Sequence, residues 1–192
     1  MRWFALLTSF VLGCGSEDHG LTPAPSPTNP VAVTPTQPSA AMFKPLPSRL
    51  TSQVFENEFL KIPPTLVFGI ELPLEPFNYG GRETRTEVRL DHIRFAVTAL
   101  RELAGREFRF PVNPSPGYID GSVYVGDAHN PADVTRIKFG SLSGGKLPAE
   151  IDIQFDFEYE GNDELGKPHF TWNVMLDLDP KALEKVAEGF KK

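Results

Sequence analysis

Ile151-Asp152-Ile153-Gln154-Phe155-Asp156-Phe157-Glu158-Tyr159-Glu160 alternates apolar and polar side chains over its whole length. Successive side chains of an extended strand point to opposite faces. Ile151, Ile153, Phe155, Phe157 and Tyr159 therefore share one face, and Asp152, Gln154, Asp156, Glu158 and Glu160 the other. Phe170-Thr171-Trp172-Asn173-Val174-Met175-Leu176-Asp177-Leu178 repeats the period, with Thr171, Asn173, Met175 and Asp177 on the wet side. A sheet with one packed and one solvated face requires this pattern. The intervening stretch from Gly161 to Pro168 reads as a hairpin loop longer than a tight turn.

Working outward, Leu66, Phe68, Ile70 and Leu72 alternate after Pro63-Pro64. Val88 and Leu90 set one phase, and Ile93, Phe95, Val97 and Ala99 the other. The slip at Asp91-His92 predicts a β-bulge or a strand that changes sheets. Phe108, Phe110 and Val112 make a short strand before Pro114, Ile119, Val123 and Val125 another, and Ile137 with Phe139 a further one before Gly140. Gly121 interrupts its strand, which signals a close backbone approach. Ser141-Leu142-Ser143-Gly144-Gly145 reads as a flexible hairpin turn, without a nucleophile-elbow or phosphate-loop pattern. Asp179 before Pro180 caps a short C-terminal α-helix whose apolar stripe is Ala182, Leu183, Val186, Ala187 and Phe190. The fold class expected is all-β: an antiparallel β-sandwich, immunoglobulin-like or jelly-roll-like, or a partly closed barrel, of about seven or eight strands, with that helix against a sheet end or over an open edge.

Residues 46–192 are close to the commonest domain size and long enough to bury a core without staples. That matters because Cys14 is the only cysteine. The net charge is −6 at pH 7. The charges before residue 46, Arg2, Lys44, Glu17 and Asp18, cancel, so the excess belongs to the domain. An acidic chain without a basic stripe argues against a nucleic-acid partner and against electrostatic attachment to anionic lipid.

The first thirteen residues read differently. Met1-Arg2 is followed by the apolar run Phe4 to Gly13, too short to span a bilayer and soon ended by Glu17 and Asp18. A basic start, a short apolar run and a small residue at the cut make an export signal. Val11-Leu12-Gly13-Cys14 resembles the lipobox of bacterial lipoproteins. That resemblance implies cleavage before Cys14, diacylglycerol on its sulfur and, in many bacteria, a third acyl chain on the new amino group. It further implies a lipid-anchored protein of the cell envelope. Gly15 stands where Asp would favour inner-membrane retention in that family, so the outer membrane is favoured. From Gly15 to Pro45, prolines alternate with Thr, Ser and Ala without apolar periodicity. Residues 14–45 are therefore expected to be an extended, unfolded tether with polyproline II character, ahead of a single domain over 46–192.

Candidate chemistry is sparse. Asp127, His129, Asn130 and Asp133 form the densest polar segment, read as a loop between strands. Its oxygens suit calcium and its imidazole a transition metal, but no metal-binding spacing is present; Asp, Asn and Pro also build ordinary turns. Asp120 joins the cluster only if its strand ends at the same rim. His92 and His169 converge with His129 only if the fold brings one end of the sheet together. The acidic row Asp152, Asp156, Glu158 and Glu160 is the ordinary wet face of a strand, although paired carboxylates also serve glycosidases. Tyr118, Tyr124, Phe77 and Tyr79 are candidates for an exposed aromatic surface, which stacks on sugar rings or seeds a protein interface.

These residues favour a membrane-tethered, non-catalytic binding domain for an envelope protein, peptide or glycan, with no catalytic residue assigned. The alternative is a small envelope hydrolase or metal-binding domain using His129 or His92 with nearby carboxylates.

Overall fold

The computed structural model describes residues 42–97 and 99–178. Cys14, the lipobox, most of the tether and the expected C-terminal helix lie outside the described residues. Ten strands follow in order: β1 (Ser48–Asn57), β2 (Ile62–Pro73), β3 (Phe77–Tyr79), β4 (Arg82–Thr84), β5 (Glu87–Ile93), β6 (Glu107–Arg109), β7 (Asp120–Val125), β8 (Ala128–Phe139), β9 (Lys146–Phe155) and β10 (His169–Leu178). Eight of them form one sheet in the order β6-β8-β7-β5-β2-β1-β10-β9, and β3 with β4 forms a separate two-stranded sheet. β8 also pairs with β9, so the hydrogen-bonded neighbours run in a circuit.

The sheet is mixed, which corrects the antiparallel expectation. β1 and β10 run parallel from Ser48 opposite Leu176 to Leu50 opposite Leu178. Parallel neighbours require a long connection, and here nearly the whole domain lies between the two strands. Sequence periodicity carries no information about strand direction.

Period-two burial holds wherever one face meets the core. Leu147, Ala149, Ile151, Ile153 and Phe155 are buried on β9, and Phe170, Trp172, Val174 and Leu176 on β10, while Met175 is exposed. The core is strongly aromatic. Phe43, Phe77, Phe155, Phe157, Phe170 and Trp172 stack or meet edge to face at one end, and Phe68, Phe95, Phe108, Phe110 and Phe139 form a second group.

The phase slip at Asp91-His92 is a β-bulge. Phe68 faces Ile93 and Ile70 faces Leu90, so β5 spends one residue more than β2. His92 absorbs the bend at φ 55°, a left-handed conformation uncommon for a residue with a Cβ. Gly121 is the close approach its position predicts: a Cβ there would sit 2.1 Å from the Ala132 carbonyl oxygen. Gly144 and Gly145, at φ 57° and 74°, turn β8 into β9, the twist that two-residue hairpins favour.

Several boundaries differ from expectation. β9 starts at Lys146 and stops at Phe155, so the alternation through Glu160 overruns the strand. Phe157 remains buried because the chain turns there into a short 3-10 segment, Glu158–Glu160, and Tyr159 leaves the core and is exposed. The Asp127–Asp133 stretch is largely strand, since β8 runs unbroken from Ala128 to Phe139. β1 escaped notice because its buried face, Ser48, Leu50 and Ser52, is mostly serine. The folded body also reaches back into the segment expected to be tether: Phe43 is buried, and the Leu46 N–H donates to the Pro73 carbonyl at 2.8 Å.

Candidate functional site

Strand parity decides the fate of the polar segment. On β8, Asn130, Ala132 and Val134 turn inward, while His129, Pro131 and Asp133 lie on the other side. Asn130 is fully buried and structural. Its amide donates to the carbonyls of Ala128 at 3.0 Å and Val123 at 3.4 Å, and its oxygen accepts from Asn162 Nδ2 at 3.3 Å. A buried amide is retained only with its hydrogen bonds made, and no ligand is needed to complete this one. Asp127 sits in the exposed turn between β7 and β8. Asp133 Oδ1 accepts the Asn113 N–H at 3.0 Å and so holds the loop before β7. The four residues expected as one cluster thus divide three ways. Among the described residues, no three His, Cys, Asp or Glu side chains are placed to hold a metal ion.

A different grouping forms around His129. An open groove of about 620 Å³ is lined by Asp120, His129, Asp133, Asp156, Tyr159 and Glu160, together with Asn113, Pro114, Gly121, Ser122 and Pro131. β7 supplies Asp120, β8 supplies His129 and Asp133, and the turn leaving β9 supplies Asp156, Tyr159 and Glu160. Asp120 lines the same groove as His129. Tyr124 stacks on His129 with ring centroids 4.7 Å apart and planes at 23°. Tyr124, Tyr159 and Tyr118 are 55 %, 72 % and 39 % exposed. Asp156 is engaged by Lys167 at 2.8 Å and accepts the Tyr159 N–H at 3.2 Å.

The other candidates separate. Phe77 is a core residue edge-on to Phe43 at 5.1 Å, which corrects its assignment to an exposed surface. Tyr79 is half-buried, its hydroxyl donating to Glu164 and lying 3.0 Å from Asn162 Oδ1. Burial, and then the Glu164 carboxylate, push its pKa up to about 12. His92 packs against Phe55 and lies 3.8 Å from Asp120 Oδ2, whereas His169 lines a separate cavity with Phe43, Phe170 and Trp172. His169 thus lies apart from His129, while His92 meets the groove's edge through Asp120. Among the described residues, no hydrogen bond or ion pair joins His129 to a carboxylate.

Sequence reading missed Arg136. It lies outward of the β8–β9 pair, donating to Asp152 from Nε at 2.7 Å and to Glu150 from Nη2, with Glu107 Oε2 at 3.7 Å from Nη1. Its guanidinium holds the Asp152 carboxyl below its ordinary value. The acidic row is therefore divided as well. Asp152 belongs to this ion-pair network, and Asp156 and Glu160 belong to the groove. The signal available in sequence was Arg136 and Glu150 flanking a hairpin of known turn, but cross-strand register had to be known to use it.

Compared with protein families, with curated proteins and with solved structures, the chain matches none. The groove's chemistry therefore stands on its own geometry.

Proposed function

We propose that this chain is a lipid-anchored protein of the bacterial envelope whose β domain binds a protein, peptide or glycan through the His129 groove. The observation that carries the binding reading is the pairing of an open, carboxylate-lined groove with exposed aromatic faces: Tyr124 stacked on His129, and Tyr159 in the lining. Exposed aromatic rings beside acceptor oxygens suit sugar hydroxyls or a polar peptide, with little rotamer entropy lost on binding. The lipobox resemblance at Val11-Leu12-Gly13-Cys14 supports the anchor, and Gly15 favours the outer membrane. For the architecture, the β8–β9 pairing supports a sheet rolled towards closure over a two-layer sandwich. The stacking of Tyr124 on His129 supports a binding role for this groove.

Two measurements test this. Titration of the detergent-solubilised chain with envelope glycan fragments and peptides, followed by NMR, should shift groove resonances. Tyr124→Ala and Tyr159→Ala should each weaken that binding by about tenfold or more, as truncation of an interface anchor does. Unchanged affinity in both variants would exclude the groove. For the anchor, Cys14→Ser should abolish acylation and move the protein from the detergent phase to the soluble fraction. Unchanged partitioning would defeat the lipoprotein reading.

A further inference from the structure

The turn joining β1 to β2 carries Asn57-Glu58-Phe59-Leu60-Lys61-Ile62. Phe59 is 92 % exposed and Leu60 62 %. Two consecutive large apolar side chains left in water are unusual enough to require an account. They are not on a loose loop. The Leu60 N–H donates to Asn57 Oδ1 at 2.9 Å, and the Lys61 N–H to the Glu58 carbonyl at 3.2 Å. The turn's backbone is therefore defined, and both side chains project from it into water.

This turn rides on a two-stranded ribbon. β10 pairs with β1 only from Ser48 to Leu50, and β5 pairs with β2 only from Phe68 onward. Between those limits β1 and β2 pair with each other, and among the described residues with no other strand. At about 3.3 Å per residue, the tip stands on the order of 20 Å past the last shared pairing. Pro63 and Pro64 on β2 have no N–H, so that edge cannot accept an added strand in the usual way. On that edge the tip offers apolar side chain rather than backbone.

We propose that Phe59 and Leu60 insert into the surface of the bilayer that holds Cys14, giving the domain a second membrane contact. The inference rests on the lipoprotein reading above. The chain enters the domain at Phe43, close to the Ser48 end of β1, so the tip lies at the far end of that strand, about 30 Å away. The 27 residues between Cys14 and Met42 are enough chain for a reach of up to about 80 Å. That length exceeds the distance from the domain's entry to its tip. Anchoring also makes insertion intramolecular, at an effective concentration of order millimolar, so that two side chains suffice where they would not hold a free protein. Glu56 and Glu58 beside the tip outnumber Lys61, which favours zwitterionic over anionic headgroups.

The test uses the mature lipidated chain in phosphatidylcholine vesicles with brominated acyl chains. Cleavage at Cys14 removes Trp3, and Trp172 is buried, so Phe59→Trp adds an exposed reporter. Its emission should shift to the blue and fall about twofold or more relative to unbrominated vesicles. Met175→Trp is the control: Met175 is exposed and lies next to Leu176, opposite Ser48 at the other end of β1. It should be unquenched. A Phe59→Trp protein that floats with the vesicles but is not quenched overturns the insertion and leaves the anchor standing. A chain that does not float overturns both. A blue shift without lipid quenching, seen only on adding a soluble envelope fraction, assigns the tip to a protein and likewise overturns the proposal.

Discussion

Gly121 shows how much one absent atom can decide. A Cβ at this position would sit 2.1 Å from the Ala132 oxygen and 3.1 Å from Leu90 Cδ2, and backbone cannot move aside as a side-chain tip does. Gly121→Ala should lower stability by about 1–3 kcal/mol, the usual penalty of overpacking, measured by urea unfolding. A neutral result would mean that β7 and β8 are not as close as described. Two neighbouring residues on β9 and its exit turn give a sharper contrast. Phe155 is buried against Phe43, Phe157, Phe170 and Trp172. Phe155→Ala should therefore cost about 3–5 kcal/mol. Asp156→Ala loses a partly exposed pair with Lys167 and should cost less than about 1 kcal/mol. Equal losses in the two variants would defeat the core assignment. Alternation at residues 151–155 was enough to foresee a buried Phe155, and the phase slip left a bulge or a change of sheet, of which the structure holds the bulge at His92.

At the scale of elements, hairpins are fastened to one another by outward polar contacts. Tyr79, at the tip of β3, ties the small β3–β4 hairpin to Asn162 and Glu164 in the loop after β9. Tyr79→Phe keeps the ring and removes the hydroxyl, so it should cost about 0.5–1 kcal/mol, at the low end for a hydrogen bond because the site is half-exposed. Its pKa is raised to about 12 in the folded protein. The stability it contributes is therefore present below the ordinary value of 10 and lost as pH rises towards 12. Tyr79→Phe should flatten that alkaline limb, and an unchanged limb would show that Tyr79 ionises freely. Arg136 acts in the opposite pH direction. It lowers the Asp152 pKa through paired hydrogen bonds, so this contribution is present above about pH 4 and lost as pH falls further. Arg136→Met should lower the urea midpoint at neutral pH and weaken its fall below pH 4, because Glu150 and Asp152 would lose the cation they share. A midpoint unaffected at pH 7 would show the network to be ornamental.

For the whole molecule, the domain begins earlier than composition suggests. Phe43 sits in the aromatic cluster and Lys44 pairs with Glu75 at 2.8 Å, although both follow a proline-rich stretch with no periodicity. A chain cut to begin at residue 46 should unfold at clearly lower urea than one beginning at residue 42, since the loss approaches that of truncating a buried Phe, about 3–5 kcal/mol. Identical midpoints would restore the tether to Pro45. What the sequence determined by itself was local: the all-β class, the two alternating strands, the bulge, the glycine turns, and the expectation of an anchor at Cys14. Each depends on side-chain parity, backbone torsion or a short motif, which neighbours in the chain specify. Only the tertiary structure decided that β1 and β10 run parallel, that Phe43 and Phe77 are core, and that Asn130 is buried apart from His129. It also decided that Asp120, His129 and Asp133 meet Asp156, Tyr159 and Glu160 in one groove. Those outcomes depend on strand direction and cross-strand register, and a period of two has the same appearance whichever partner a strand finds.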